Sequence, residues 1–151
     1  MSGELGGIIL VEDDDGHALL VEKNLRRAGV DNPFLRLRDG QEALDYFFSN
    51  GGSGRDAAFG NPVVLLDVNM PKIDGVEVLR QLKADPSTAT LPVIMLTTTD
   101  DPREIARCYE LGCNIYVTKP VEYGSFVEAV RRLGFFLQVI KLPQMGKDSG
   151  A

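Results

Sequence analysis

The sequence has 151 residues, enough for one domain of ordinary size and too few for two, and its 44% apolar share supports a full core. A net charge of −6 argues against a chain that coats nucleic acid or an anionic membrane. No apolar run approaches the ~20 residues of a membrane-spanning helix, and no basic patch precedes the short apolar run near the N-terminus, so neither a span nor a secretory signal is expected. The expected location is the cytoplasm, with Cys108 and Cys113 as reduced thiols rather than zinc ligands.

Apolar runs alternate with helix-period segments along the chain. Gly7–Val11 is a short continuous apolar run that suits a strand buried on both faces. Ala18, Val21, Leu25 and Ala28 then recur at spacings of three and four, predicting a helix that Gly29 ends. Phe34–Leu37 reads as a second strand. Asp39 is placed to cap a helix through about Phe48, with Glu42 at the capping-box position. Ser49–Asn61, rich in Gly, Ser and Asn, reads as a surface loop. Pro62–Asp67 is a strand that ends in a carboxylate, and the turn VNMPKIDG leads to a helix over Val76–Ala84, stopped at Asp85-Pro86. Leu91–Leu96 is the fourth strand. Asp101-Pro102 opens a helix that ends at Leu111-Gly112. Ile115–Thr118 is the fifth strand, and a last helix spans about Tyr123 to Ile140. Five such repeats predict an α/β fold: a three-layer αβα sandwich around a five-stranded parallel sheet. Right-handed crossovers favour the flavodoxin-like strand order 2-1-3-4-5.

In such sheets, ligands bind at the carboxyl ends of the strands. Glu12, Asp13, Asp14 and Asp15 follow the first strand, Asp67 the third, Thr97 the fourth and Lys119 the fifth. If the first and third strands are neighbours, Glu12, Asp13 and Asp67 share one small volume. Carboxylates ~5 Å apart repel by roughly 3 kcal/mol per pair at an effective dielectric near 20, so a positive group is expected among them. Hard oxygen ligands with a nearby phosphate suit Mg²⁺, which keeps several waters. Asp13 would ligate directly, Glu12 directly or through water, and a carbonyl of the following turn could add to the set. Asp67 is the candidate nucleophile, since a carboxylate can form an acyl phosphate. Lys119 offers a compact positive charge and Thr97 a hydroxyl to phosphoryl oxygens. Asp14 or Asp15 is expected to cap the first helix, and His17 is read as a solvated residue of that helix.

These residues resemble the receiver domain of bacterial two-component response regulators. IILVEDD resembles the family's first strand and acidic pair, and VVLLDVNMPKIDGVEVLRQLK its acceptor strand, turn and third helix. PVIMLTTT supplies the switch hydroxyl, Thr97, and IYVTKP supplies Lys119. The resemblance runs from about Gly7 to Ile140. It implies phosphoryl transfer from a histidine kinase to Asp67, a metal shell completed by the Asn69 backbone carbonyl, and Tyr116 as the aromatic that turns inward as Thr97 moves. It also implies a cis Lys119–Pro120 peptide, and a role for Asn69 and Thr99 in setting the hydrolysis rate. The long Ser49–Asn61 loop resembles stand-alone regulators paired with phytochrome-type histidine kinases.

On this reading residues 1–142 form a single receiver domain and 143–151 a short flexible tail, with no effector domain and no enzymatic activity beyond self-catalysed phosphoryl transfer. Output then comes through protein binding or through passing the phosphoryl group to a downstream phosphotransfer or target protein. On the last helix, Phe126, Val130, Leu133, Leu137 and Ile140 form the core stripe, while Phe135, Val139 and Leu142 leave the opposite side apolar. A homodimer covering that end and the Leu142-Pro143 arm is the expectation, the alternative being a tail folded back over its own domain. Three rival readings fit these residues less well. A phosphohydrolase would carry an acid where Asn69 stands, a dinucleotide site would need a glycine-rich turn in place of EDDDGH, and a phosphorylation-independent scaffold typically lacks one of the key residues.

Overall fold

In the computed structural model, which describes residues 2–3, 5–49, 60–140 and 142–143, five apolar segments form one parallel sheet. They are β2 (Ile8–Val11), β3 (Phe34–Leu37), β4 (Val63–Leu66), β5 (Val93–Thr97) and β6 (Ile115–Thr118), in the order β3-β2-β4-β5-β6. Counted along the chain this is the expected 2-1-3-4-5 arrangement. The helices α1 (Asp15–Arg27), α2 (Gly40–Phe48), α3 (Gly75–Ala84), α4 (Pro102–Leu111) and α5 (Tyr123–Leu137) connect and follow the strands.

Alternation along the central strands splits the core in two. Ile9, Val11, Val64, Leu66, Val93 and Met95 pack with residues of α2, α3 and α4, including Phe47, Leu79, Leu82 and Cys108. Ile8, Leu10, Val63, Leu65, Ile94 and Leu96 pack with α1 and α5 through Val21, Leu25, Phe126, Val130, Leu133 and Leu137. Each such side chain contributes about 1.5–3 kcal/mol when fully buried, and β2, β4 and the start of β5 are buried on both faces. The sheet is therefore the rigid element from which the strand ends project.

Helix ends follow capping chemistry, which was expected at Asp39 and at Asp14 or Asp15. Asp14, Asp39, Asp74 and Asp101 cap α1, α2, α3 and α4, each accepting a backbone N–H of the first turn. Gly112, at φ 110°, closes α4 in the left-handed conformation that glycine adopts without a Cβ penalty. The last helix ends at Leu137 rather than Ile140, because the Gln138 side chain turns back and donates to the carbonyls of Ala28 (2.7 Å) and Gly134 (3.1 Å). Two short strands, β1 (Ser2–Gly3) and β7 (Leu142–Pro143), pair antiparallel, a contact between distant segments that no local pattern announced. The chain beyond α5 thus returns to its own N-terminal segment. Most of the Ser49–Asn61 loop and residues 144–151 of the expected tail lie outside the described residues, as does the side chain of Leu142. The Lys119–Pro120 peptide, expected cis, is trans. The two forms of an X–Pro bond differ by only ~0.5–1 kcal/mol, so sequence alone does not select between them.

Candidate functional site

The sheet's ladder continues one residue past several strand ends, and those residues carry the polar groups. The Glu12 N–H donates to the Leu37 carbonyl (3.0 Å), that of Asp67 to Val11 (3.1 Å), and that of Lys119 to Thr97 (2.6 Å). Glu12, Asp67 and Lys119 are thereby held by backbone registration, and Thr97 is the last residue of β5 itself. All four are buried.

The turn after Asp67 is tightly built. The Asn69 N–H donates to Asp67 Oδ1 (3.2 Å), and the Gly75 N–H to the Val68 carbonyl (2.9 Å). Gly75, the first residue of α3, lies so close to this turn that a Cβ would overlap the Asp67 carbonyl oxygen and come within 2.9 Å of Val68 Cα. Glycine here is a matter of space. Lys72, within the same turn, takes φ 68°, a conformation that costs a residue with a side chain of the order of 1 kcal/mol.

Lys119 Nζ contacts Glu12 Oε1, lies 3.4 Å from Asp67 Oδ2, and lies 3.2 Å from His17 Nδ1. One ammonium therefore faces two buried carboxylates, with the exposed Asp13 beside them. Burial pushes the Glu12 carboxyl up to about 7, even though Lys119 pulls it down. The site is short of positive charge. Glu12, Asp13 and Asp67 each offer one oxygen, and these oxygens lie within 4.8 Å of one another. Three hard oxygen donors with a deficit of positive charge fit a divalent cation of the calcium–magnesium–manganese kind.

The acidic loop is fixed from outside the pocket. Asp14 caps α1 by accepting from the His17 N–H (2.9 Å), and that bond holds its carboxyl below the ordinary value. Asp15 instead pairs with Arg36 (2.7 Å) and Arg38 (3.3 Å), the Arg36 hydrogen bond lowering its carboxyl most. Arg36 also donates from Nε to the Glu12 carbonyl (2.9 Å), so β3 ties down the loop that carries the acids.

On the opposite wall, the Asn69 amide donates to the hydroxyls of Thr97 (3.3 Å), Thr98 (3.3 Å) and Thr99 (2.9 Å). The half-buried Tyr116 donates from its hydroxyl to the Thr99 carbonyl (2.7 Å), and burial pushes its phenol up to about 12. Its backbone N–H donates to the hydroxyl of Tyr109 on α4 (3.0 Å). A polar path thus runs from Asp67 through Asn69 and Thr99 to Tyr116 and α4.

The sequence-predicted residues Glu12, Asp13, Asp67, Thr97, Asn69 and Lys119 come together at one mouth, with Tyr116 beside it. His17 corrects the solvated reading. It is half-buried, its ring packs edge-on against Phe126 (5.4 Å between centroids), and it meets Lys119. Its place in the first turn of a helix that starts at the acidic loop was legible, whereas the direction of its side chain depends on the cap. Arg36 was missed for the same kind of reason, since only strand pairing brings it to Glu12. Cys108 and Cys113 are buried and free, and burial pushes the Cys108 thiol up to about 12, which disfavours metal binding.

The family model for the response regulator receiver domain matches residues 8–131. This chain belongs to that family. As a receiver it is similar to a response regulator receiver domain from Rhodospirillum rubrum, at 49% identity and TM-score 0.86, covering 93% of this chain and 99% of that one. It is 34% identical to the response regulator Rcp1 of Synechocystis over 137 residues, or 90% of this chain and 92% of Rcp1. A solved structure of Rcp1, described as its Mn²⁺-bound form, matches with TM-score 0.82 at 33% identity over 91% of this chain and 99% of that one. RcpA, a phosphorylated cyanobacterial phytochrome response regulator, matches with TM-score 0.81 at 32% identity over 93% of this chain and 99% of that one. The acidic cluster of this receiver and the Mn²⁺-bound relative together support a divalent-cation site. No helix among the described residues is long and apolar enough to cross a membrane.

Proposed function

We propose that this receiver accepts a phosphoryl group on Asp67 from the phosphohistidine of a sensor histidine kinase, in a Mg²⁺-dependent reaction, and signals by the change in surface that follows. The observation that carries this reading is the meeting of Glu12, Asp13 and Asp67 around the buried amine of Lys119. An Asp67 oxygen forms the new P–O bond as the donor's P–N bond breaks, and the imidazole leaves with the electron pair. Glu12, Asp13, Asp67 and the Asn69 carbonyl would hold the Mg²⁺, which when bound neutralises charge on the phosphoryl oxygens and orients them. Lys119 neutralises a further phosphoryl oxygen, and the Thr97 hydroxyl turns from Asn69 to donate to another. Release of Thr97 and Thr99 from the Asn69 amide loosens the carbonyl that Tyr116 holds, and so passes the event to α4 and β6.

Likeness to RcpA, a phytochrome response regulator, supports a kinase of phytochrome type, and action in the cytoplasm with output to a downstream phosphotransfer or target protein belongs to the same reading. The homodimer belongs to the same proposal. Phe135 is 54% exposed and Val139 72%, with the exposed Phe136 between them, an apolar end of the kind a second copy covers. The Leu142–Pro143 backbone is already paired with Ser2–Gly3 of its own chain, so the contact rests on the α5 residues. Phe135→Asp with Val139→Asp is expected to convert a dimer to a monomer in sedimentation, and identical sedimentation before and after mutation rejects this surface.

The decisive experiment is incubation with Mg²⁺ and acetyl phosphate, followed by intact mass and Phos-tag gels. Wild type should gain one phosphoryl group, and Asp67→Asn should gain none. A label that survives in the Asn variant rejects the acceptor assignment. One that forms equally well in EDTA rejects the cation requirement.

A further inference from the structure

His17 takes no part in the chemistry above, yet it meets the one cation of the pocket. Lys119 is an all-donor group with three N–H bonds. Two of its contacts are with carboxylates of the acidic cluster, Glu12 and Asp67, and the third is with His17 Nδ1 at 3.2 Å. An ammonium has no lone pair, so a hydrogen bond here requires Nδ1 as the acceptor, the tautomer with its proton on Nε2. The Asp14 cap holds the His17 backbone through its N–H (2.9 Å), and the ring itself packs edge-on against Phe126. Phe126 also lies under the ammonium, 5.9 Å from Nζ to the ring centroid. Residues of both α1 and α5 therefore hold Lys119.

That grip matters because Lys119 and a divalent cation draw on the same carboxylates. Glu12 and Asp67 supply two of the three carboxylates of the acidic cluster, and both also bind Nζ. We infer that His17 is a positioning residue that tethers Lys119 away from the cation position, so that amine and metal occupy the pocket together. Without the tether, the ammonium keeps only its two carboxylate partners and settles between them, where the metal must enter. The role rests on the phosphoryl-acceptor reading for its purpose, and on this chain's own contacts for its geometry.

Two substitutions separate the lone pair from the ring. His17→Phe keeps an aromatic ring against Phe126 and removes the acceptor. His17→Asn keeps an acceptor one atom beyond Cγ and removes the ring. Mg²⁺ titrations followed by backbone amide NMR, and Mg²⁺ dependence of acetyl phosphate labelling at Asp67, are measured on both and on wild type. Loss of a hydrogen bond to a charged group should raise the half-saturating Mg²⁺ about tenfold in His17→Phe, with the labelling rate restored at saturation. His17→Asn should stay near wild type. A residue that merely fills space gives the reverse order, with Asn impaired and Phe normal, and that result overturns the tether. Equal half-saturating Mg²⁺ in all three proteins overturns it as well. Without any variant, imidazole ¹⁵N resonances of the wild type should show Nε2 protonated and Nδ1 accepting, and the opposite tautomer refutes the arrangement. A wild type that takes no Mg²⁺-dependent label defeats the acceptor reading itself, a failure distinct from these.

Discussion

Glu12 is a buried carboxylate whose charge the fold disfavours, and its cost is measurable. The carboxyl is 1% exposed and lies at about 7 in the folded protein, against 4.5 ordinarily, because burial outweighs the pull of Lys119. A folded value above the unfolded one gives stability that is fully present below about 4.5 and lost as pH rises through about 7. A difference of that size corresponds to roughly 3 kcal/mol of folding free energy. Glu12→Gln keeps the shape and cannot titrate. Urea unfolding with a chelator present, at about pH 5 and about pH 8, should show the wild type losing roughly 2–3 kcal/mol more than the variant over that interval. Adding Mg²⁺ at the higher pH should restore wild-type stability through binding to the native state, and restore Glu12→Gln far less. Parallel pH profiles for the two proteins, or an equal response to the cation, would refute the view that an undercompensated buried carboxylate awaits a metal.

Two further outcomes follow from the turn and the far wall. Gly75→Ala forces a methyl group against the backbone of Asp67 and Val68, and should lower stability by at least ~2 kcal/mol in denaturant melts, with slower acetyl phosphate labelling. A variant with wild-type stability would mean that the turn relaxes freely. Tyr109→Phe removes only the hydroxyl that caps the Tyr116 N–H on the edge strand β6, so exchange of that amide should accelerate roughly fivefold by NMR, while amides of β4 stay unchanged.

Much of this protein was legible in its sequence. Continuous apolar runs such as Val63–Leu66 can be buried only on both faces, and alternation with amphipathic helices leaves few topologies beyond the observed strand order. Because ligands gather at the carboxyl ends of parallel strands, the chain positions of Glu12, Asp13, Asp67, Thr97 and Lys119 alone point to one pocket. The Asp39 cap, and a cap from Asp14 or Asp15, were equally plain, since a side-chain oxygen beside free N–H groups is a local matter. What the sequence could not supply depends on side-chain direction and on contacts between distant segments. His17 reaches Lys119 through the packing of α1 beside α5 and the sheet, and Arg36 reaches Glu12 because β3 pairs with β2. The β1–β7 pairing joins segments about 140 residues apart through backbone hydrogen bonds that no side-chain pattern encodes. Local chemistry determined which groups would meet, and tertiary packing decided which neighbours restrain them.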